Sequence, residues 1–133
     1  YEIRLSLVGS EMCIRDRDLP LNARNFINQY FSKPQISYIK IDSEFLSKKY
    51  EVTLTDRTEI DFDKKGNWTE VDCKKGAVPA ALIPVSIKDY VKKNFPNEII
   101  TKIERKGTGI EVELANDFSL KFNKKGQFVS MDD

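Results

Sequence analysis

The chain contains no histidine, so it lacks the commonest general base near neutral pH and the commonest zinc ligand. Cysteine occurs only at Cys13 and Cys73, which gives neither a metal-binding spacing nor a disulfide framework. No run of about 18 apolar residues occurs, and so nothing reads as a membrane-spanning helix. An excess of one charge is missing too: 22 Lys and Arg against 21 Asp and Glu leave a net charge of +1. Nucleic-acid phosphates call for a concentrated basic face, which argues against that partner. What is present is 133 residues, 40% hydrophobic and 11% aromatic. That suits one domain, or two small repeats sharing a core.

The most informative stretch is written twice. Residues 50–72 (YEVTLTDRTEIDFDKKGNWTEVD) align without a gap on residues 110–132 (IEVELANDFSLKFNKKGQFVSMD). Eight pairs are identical: Glu51/Glu111, Val52/Val112, Leu54/Leu114, Phe62/Phe122, Lys64/Lys124, Lys65/Lys125, Gly66/Gly126 and Asp72/Asp132. Others exchange like for like, such as Ile60 with Leu120 and Trp68 with Phe128. An internal repeat constrains architecture before any local pattern does.

Residues 1–17 (YEIRLSLVGSEMCIRDR) lack the basic start, apolar stretch and cleavage site of a signal peptide. LVGSEMCIRDR resembles translated sequencing-adapter read-through, so this segment is expected to be a non-native extension. The alternative is a short native strand such as Ile3–Val8. From Leu19-Pro20 a helix is expected, with Ala23, Phe26, Ile27, Tyr30 and Phe31 forming one apolar stripe. Ser32-Lys33-Pro34 ends it. Strands follow over 36–42, 50–54, 58–62 and 68–72, with Ser43–Lys48 a turn or irregular hairpin and Gly66 supplying positive φ in the tight loop. Residues 73–83 connect, with a helical turn after Pro79. The pattern then returns: a helix from Pro84 to Phe95, and strands over 99–105, 109–114, 118–122 and 128–131. The offset between copies falls from 64 to 60 because the first strand turn is longer in copy one. The predicted class is α+β: two tandem α-β-β-β-β repeats in a continuous or abutting antiparallel sheet, helices on one face and the other face open. The predicted divisions are 1–17, repeat one 18–73, a connection 74–83 and repeat two 84–133.

Strict alternation places Tyr38, Lys40, Glu51, Thr53, Glu59 and Asp61 on the outward face of repeat one. The matching residues of repeat two are Lys102, Glu104, Glu111, Glu113, Ser119 and Lys121. An aromatic flanked by both charge signs can bind a protein, and an ordinary solvated sheet face reads the same way. Trp68 is either an exposed anchor or a seal on the core, and Phe128 at the equivalent position favours the seal. Glu51, Glu59, Asp61 and Asp63 could suggest acid–base carboxylates. Lys40, Lys64 and Lys65 lie near enough to pair with them, and no nucleophile accompanies them, so no catalytic residue is assigned. Asp61-x-Asp63-x-x-Gly66 has part of a calcium-loop spacing without its remaining ligands, and no metal or cofactor is expected. Cys73 reads as a small residue packed in the connection, and the Lys-Lys-Gly turns as edge protection.

Pro84, Ile87, Tyr90, Val91, Phe95-Pro96, Ile100 and Ile103-Glu104, with Tyr50-Glu51-Val52, Leu54, Phe62-Asp63, Gly66 and Trp68, follow a recognisable order. In that order, present in two copies over about 18–133, the chain resembles the PepSY-like, beta-lactamase-inhibitor-like domains. Ile110 and Phe128 depart from the Tyr and Trp usual there. The resemblance implies a periplasmic or secreted protein of Gram-negative bacteria and no catalytic residues. The expected function is a non-enzymatic binding module, an inhibitor of a secreted or envelope hydrolase, that grips a protein partner through the open sheet face. The alternative is a small-ligand or peptide carrier using the cleft between the repeats. A monomer is expected.

Overall fold

The computed structural model describes residues 7–8, 11–14, 18–44 and 47–132. The expected non-native extension therefore falls largely outside the described residues. Its parts at Leu7–Val8 (β1) and Glu11–Ile14 (β2) form strands, and β2 pairs antiparallel with the strand that begins at Ile36. Among the described residues the class is α+β, with two α-helices and antiparallel strands whose pairing follows chain order. Two compact units divide at Thr69/Glu70.

In the first unit, α1 spans Leu21–Tyr30. Pro20 sits at the cap rather than inside the first turn, and its carbonyl accepts the Arg24 N–H at 3.1 Å. Proline loses nothing there, because the first N–H groups of a helix have no intrahelical partner. Ala23, Ile27 and Phe31 are buried, with Phe26 and Tyr30 half-buried beside them, so the expected stripe faces the sheet. The sheet side is supplied by β3 (Ile36–Glu44), β4 (Ser47–Leu54) and β5 (Glu59–Asp63). Ile39, Val52 and Ile60 stand opposite one another across these strands and are fully buried. Burial of each such side chain is worth about 1.5–3 kcal/mol.

The stretch 43–48, expected as a turn or irregular hairpin, is the end of a hairpin between β3 and β4. Pairing continues through Ser43↔Lys48 and Glu44↔Ser47, because that stretch holds no Gly or Pro to interrupt a ladder. Its tip, residues 45–46, lies outside the described residues. In the second unit the equivalent ladder stops at Lys106↔Gly109. The two extra pairs in the first hairpin are the four residues by which the repeat offset changes.

The loop from β5 into β6 (Trp68–Asp72) is tied to the helix. Asp63 Oδ1 accepts the N–H groups of Lys65 at 2.9 Å and Asn67 at 3.0 Å. Gly66 has φ +84°, and a Cβ there would run into the side chains of Asn22 and Pro20. Asn22 Nδ2 donates to the Lys65 carbonyl at 2.9 Å. This glycine is needed for close approach as well as for its backbone angle.

The second unit starts within β6. Cys73 is half-buried in the connection, its N–H bonded to the Thr101 carbonyl at 2.8 Å. A single 3-10 turn at Ala80–Leu82 follows Pro79, as expected. Then come α2 (Val85–Asn94), β7 (Ile100–Lys106), β8 (Gly109–Leu114), β9 (Ser119–Asn123) and β10 (Phe128–Asp132). Ile87 and Val91 are the buried stripe of α2. Val71, Ile103, Val112 and Leu120 form one fully buried cross-strand row.

Bulges reset the alternation. In β10 the register shifts between Phe128 and Ser130, so Phe128 opposes the core residue Phe122 while Met131 opposes Leu120. The two side chains lie three apart on the same side, which strict period two forbids and one extra residue permits. In β6, Trp68 stacks on Phe26 at 6.1 Å and Val71 is fully buried.

Candidate functional site

The outward residues of the first unit fall into rows set by strand register. Tyr38, Thr53 and Glu59 form one row, Lys40, Glu51 and Asp61 the next, and Asp42, Lys49 and Asp63 a third. Tyr38 is 40% exposed, and Lys40 Nζ sits 5.5 Å from the centre of its ring. That is a cation–π contact, which holds the ring in place without removing it from solvent. Lys49 Nζ reaches Glu51 at 3.2 Å and Asp61 at 3.8 Å. Burial pulls the Lys49 ammonium down, but Glu51, Asp61 and Asp42 overcome this and raise its pKa. All six residues expected on this face are therefore on it.

Lys49, which the sequence analysis did not single out, joins these carboxylates. Alternation from Glu51 would have found it. Asp63 spends one oxygen on the turn N–H groups described above, which accounts for the partial calcium-loop spacing. Among the described residues, no group of three or more His, Cys, Asp or Glu could hold a metal ion.

In the second unit the rows are Glu70, Glu104, Glu111, Lys121 and Ser130, then Asp72, Lys102, Glu113, Ser119 and Asp132. Three glutamates side by side repel, and lysines from the flanking rows compensate. Lys106 Nζ reaches Glu111 at 2.7 Å and Glu104 at 3.8 Å. Lys102 Nζ lies 3.5 Å from Glu70, and Lys121 Nζ lies 3.5 Å from Asp132.

The Lys102–Glu70 pair is lopsided. Burial lowers the Lys102 pKa, but Glu70, Glu113 and Asp72 together raise it. Burial raises the Glu70 pKa, Lys102 opposes the rise, and Glu104 and Asp72 add to it. Glu70 is a member of this face that the sequence pattern missed. Ordinary alternation beside the buried Val71 places it outward, opposite Glu104.

Trp68 is half-buried against Phe26, which in turn meets Phe62 edge-on at 5.6 Å. It seals the core side of its unit. Phe128 stacks on Tyr90 at 4.7 Å yet stays exposed.

With this geometry in view, the chain can be compared with known proteins. The family described as "Putative beta-lactamase-inhibitor-like, PepSY-like" matches residues 48–130. A search of curated proteins finds no significant match. Among solved structures, a "putative calcium-regulated periplasmic protein" from Bacteroides thetaiotaomicron is 42% identical with a TM-score of 0.89, covering 92% of this chain and 97% of its own. A "putative periplasmic protein from DUF2874 family" from Bacteroides vulgatus is 36% identical with a TM-score of 0.90, covering 94% and 98%. A "putative periplasmic protein of unknown function" from the same organism is 37% identical with a TM-score of 0.89, covering 92% and 99%. Among the described residues, no helix is long and apolar enough to cross a membrane. The family match spans most of the chain and the similar structures cover nearly all of it, and on both grounds the chain belongs to the PepSY-like family.

Proposed function

We propose that the protein is a non-enzymatic binding module of the periplasm or the secreted fraction, made of two tandem copies of one α-β-β-β-β unit. It holds a protein partner on the outward sides of its strands. The partner is a secreted or envelope hydrolase, which it inhibits by occlusion. The observation that carries this reading is the outward face itself: a ring held in the open by Lys40, within rows of paired charges of both signs. Such a surface offers an aromatic anchor with a polar surround that fixes register. Location is supported by the descriptions of the relatives as periplasmic. The absence of turnover is supported by the engagement of Glu51, Glu111 and Asp63 in ion pairs or a turn. Calcium regulation, named for one relative, is left with that relative, since Asp63 already serves the hairpin.

The test is affinity capture from envelope and culture-supernatant extracts with the full chain as bait. The proposal expects an enriched hydrolase whose activity falls when the chain is added, and whose capture is lost with Tyr38→Ala combined with Glu111→Lys. Capture indifferent to both substitutions would move the site elsewhere.

A further inference from the structure

A groove of about 260 Å³ lies in the second unit, between the C-terminal half of α2, the 77–83 connection and the start of β7. Its apolar wall includes Val91, Phe95 and Ile99, and Ile99 is 44% exposed. Lys88 and Lys92 also line it, four residues apart and so on one face of α2. Among the described residues neither has a carboxylate partner within 4.0 Å. Unpaired ammonium groups beside an open apolar wall can receive an anion carrying a hydrocarbon tail.

The first unit supplies an internal control. A groove of about 310 Å³ occupies the same place there, 64 residues earlier in the chain. Ile27 stands for Val91 and Phe31 for Phe95, but Asn28 replaces Lys92 and Gln35 replaces Ile99. Arg24, the counterpart of Lys88, does not line that groove. The fold therefore makes the groove twice, and only the second copy joins apolar lining to two cations.

We infer that the α2 groove binds a small amphiphilic monocarboxylate, its tail on Val91, Phe95 and Ile99 and its head on Lys88 and Lys92. Glu98 also lines the groove, which disfavours a doubly charged head and steers a single carboxylate towards α2. The volume lies just under the range of about 300–1,000 Å³ usual for drug-sized ligands, so the tail is short. A free fatty acid of octanoate size fits this chemistry. The site is separate from the outward strand faces, and its test is independent of theirs.

The experiment titrates octanoate into the full chain by calorimetry and by amide chemical shifts. Saturable binding is expected, with shifts centred on Lys88, Lys92 and Ile99. Lys88→Glu combined with Lys92→Glu should weaken it about tenfold or more, and Ile99→Gln should weaken it about tenfold. Glu98→Gln should tighten it. In the first groove, Asn28→Lys with Gln35→Ile should create a second, weaker site. Most of these positions are solvent-exposed, and an unchanged melting curve verifies folding in every case. Tyr38→Ala should leave octanoate binding as it is. No saturable binding, or binding indifferent to the lysines and to Ile99, overturns the inference. So does attachment to phosphatidylglycerol vesicles without binding of free octanoate, which would make this face a membrane contact.

Discussion

In the first unit Lys49 stands on β4 and bridges Glu51 and Asp61. In the second, the equivalent position on β8 is Gly109, and the bridging lysine has moved one strand over to Lys106 on β7, where the first unit has Asp42. Inner positions show no such trade. Val52 and Val112, Leu54 and Leu114, and Phe62 and Phe122 are identical pairs, and all are buried. The core must fill a fixed volume at high density, whereas an outward charge needs only some opposite charge within reach. The two units thus agree where packing decides and diverge where solvent or a partner decides.

The sharpest way to break this comparison is to truncate the shared core. Phe62→Ala and Phe122→Ala should each cost about 3–5 kcal/mol in urea denaturation. A cost confined to one unit would show that the matched positions are not energetically matched. A smaller effect separates β6 from β10. Val71 is fully buried opposite Ile103, while Met131 at the equivalent place is 47% exposed. Val71→Ala should cost about 2 kcal/mol, and Met131→Ala under about 0.5 kcal/mol.

Backbone strain offers a third contrast. Arg57 and Asp117 occupy equivalent turns with φ of 76° and 71°. Asp tolerates that region better than Arg. Arg57→Gly should therefore stabilise by about 1 kcal/mol and Asp117→Gly by less.

The smallest effect is electrostatic. Glu70 has a raised pKa, caused first by burial and then by Glu104 and Asp72. The folded state therefore holds this proton to higher pH than the unfolded chain does. The associated stability is present below the ordinary glutamate range and is lost as pH rises through the folded value. Glu70→Gln should flatten that fall and slightly raise the melting temperature at neutral pH. A lower melting temperature would show that the Lys102 pair outweighs the repulsion.

Much of the fold was legible because the repeat and period two agree. The sequence reading placed β6 at 68–72 and β8 at 109–114, as observed, and put Thr58, Ile60 and Phe62 inward, where they are buried. The misses have separate causes. The four residues that extend the β3–β4 ladder, Ser43, Glu44, Ser47 and Lys48, are polar, so no hydrophobic alternation marks them. The bulge at Phe128 shifts parity by one residue without any residue type that demands it. Glu70 was missed because the alternation of 68–72 was not carried through to a face. On the outward face, the residues were legible and the pairing was not, since a lysine's partner depends on register to within one residue. The α2 groove left no periodic signal, because helix, connection and strand assemble it from three separate stretches.

The most direct test of the outward-face account splits it by unit. Capture is repeated with three baits: the native chain, Tyr38→Ala with Lys40→Glu in the first unit, and Glu111→Lys with Lys121→Glu in the second. The account predicts that one hydrolase is retained by the native chain and lost from both variants while each melts like the native protein. Retention of the same protein by both variants would contradict it.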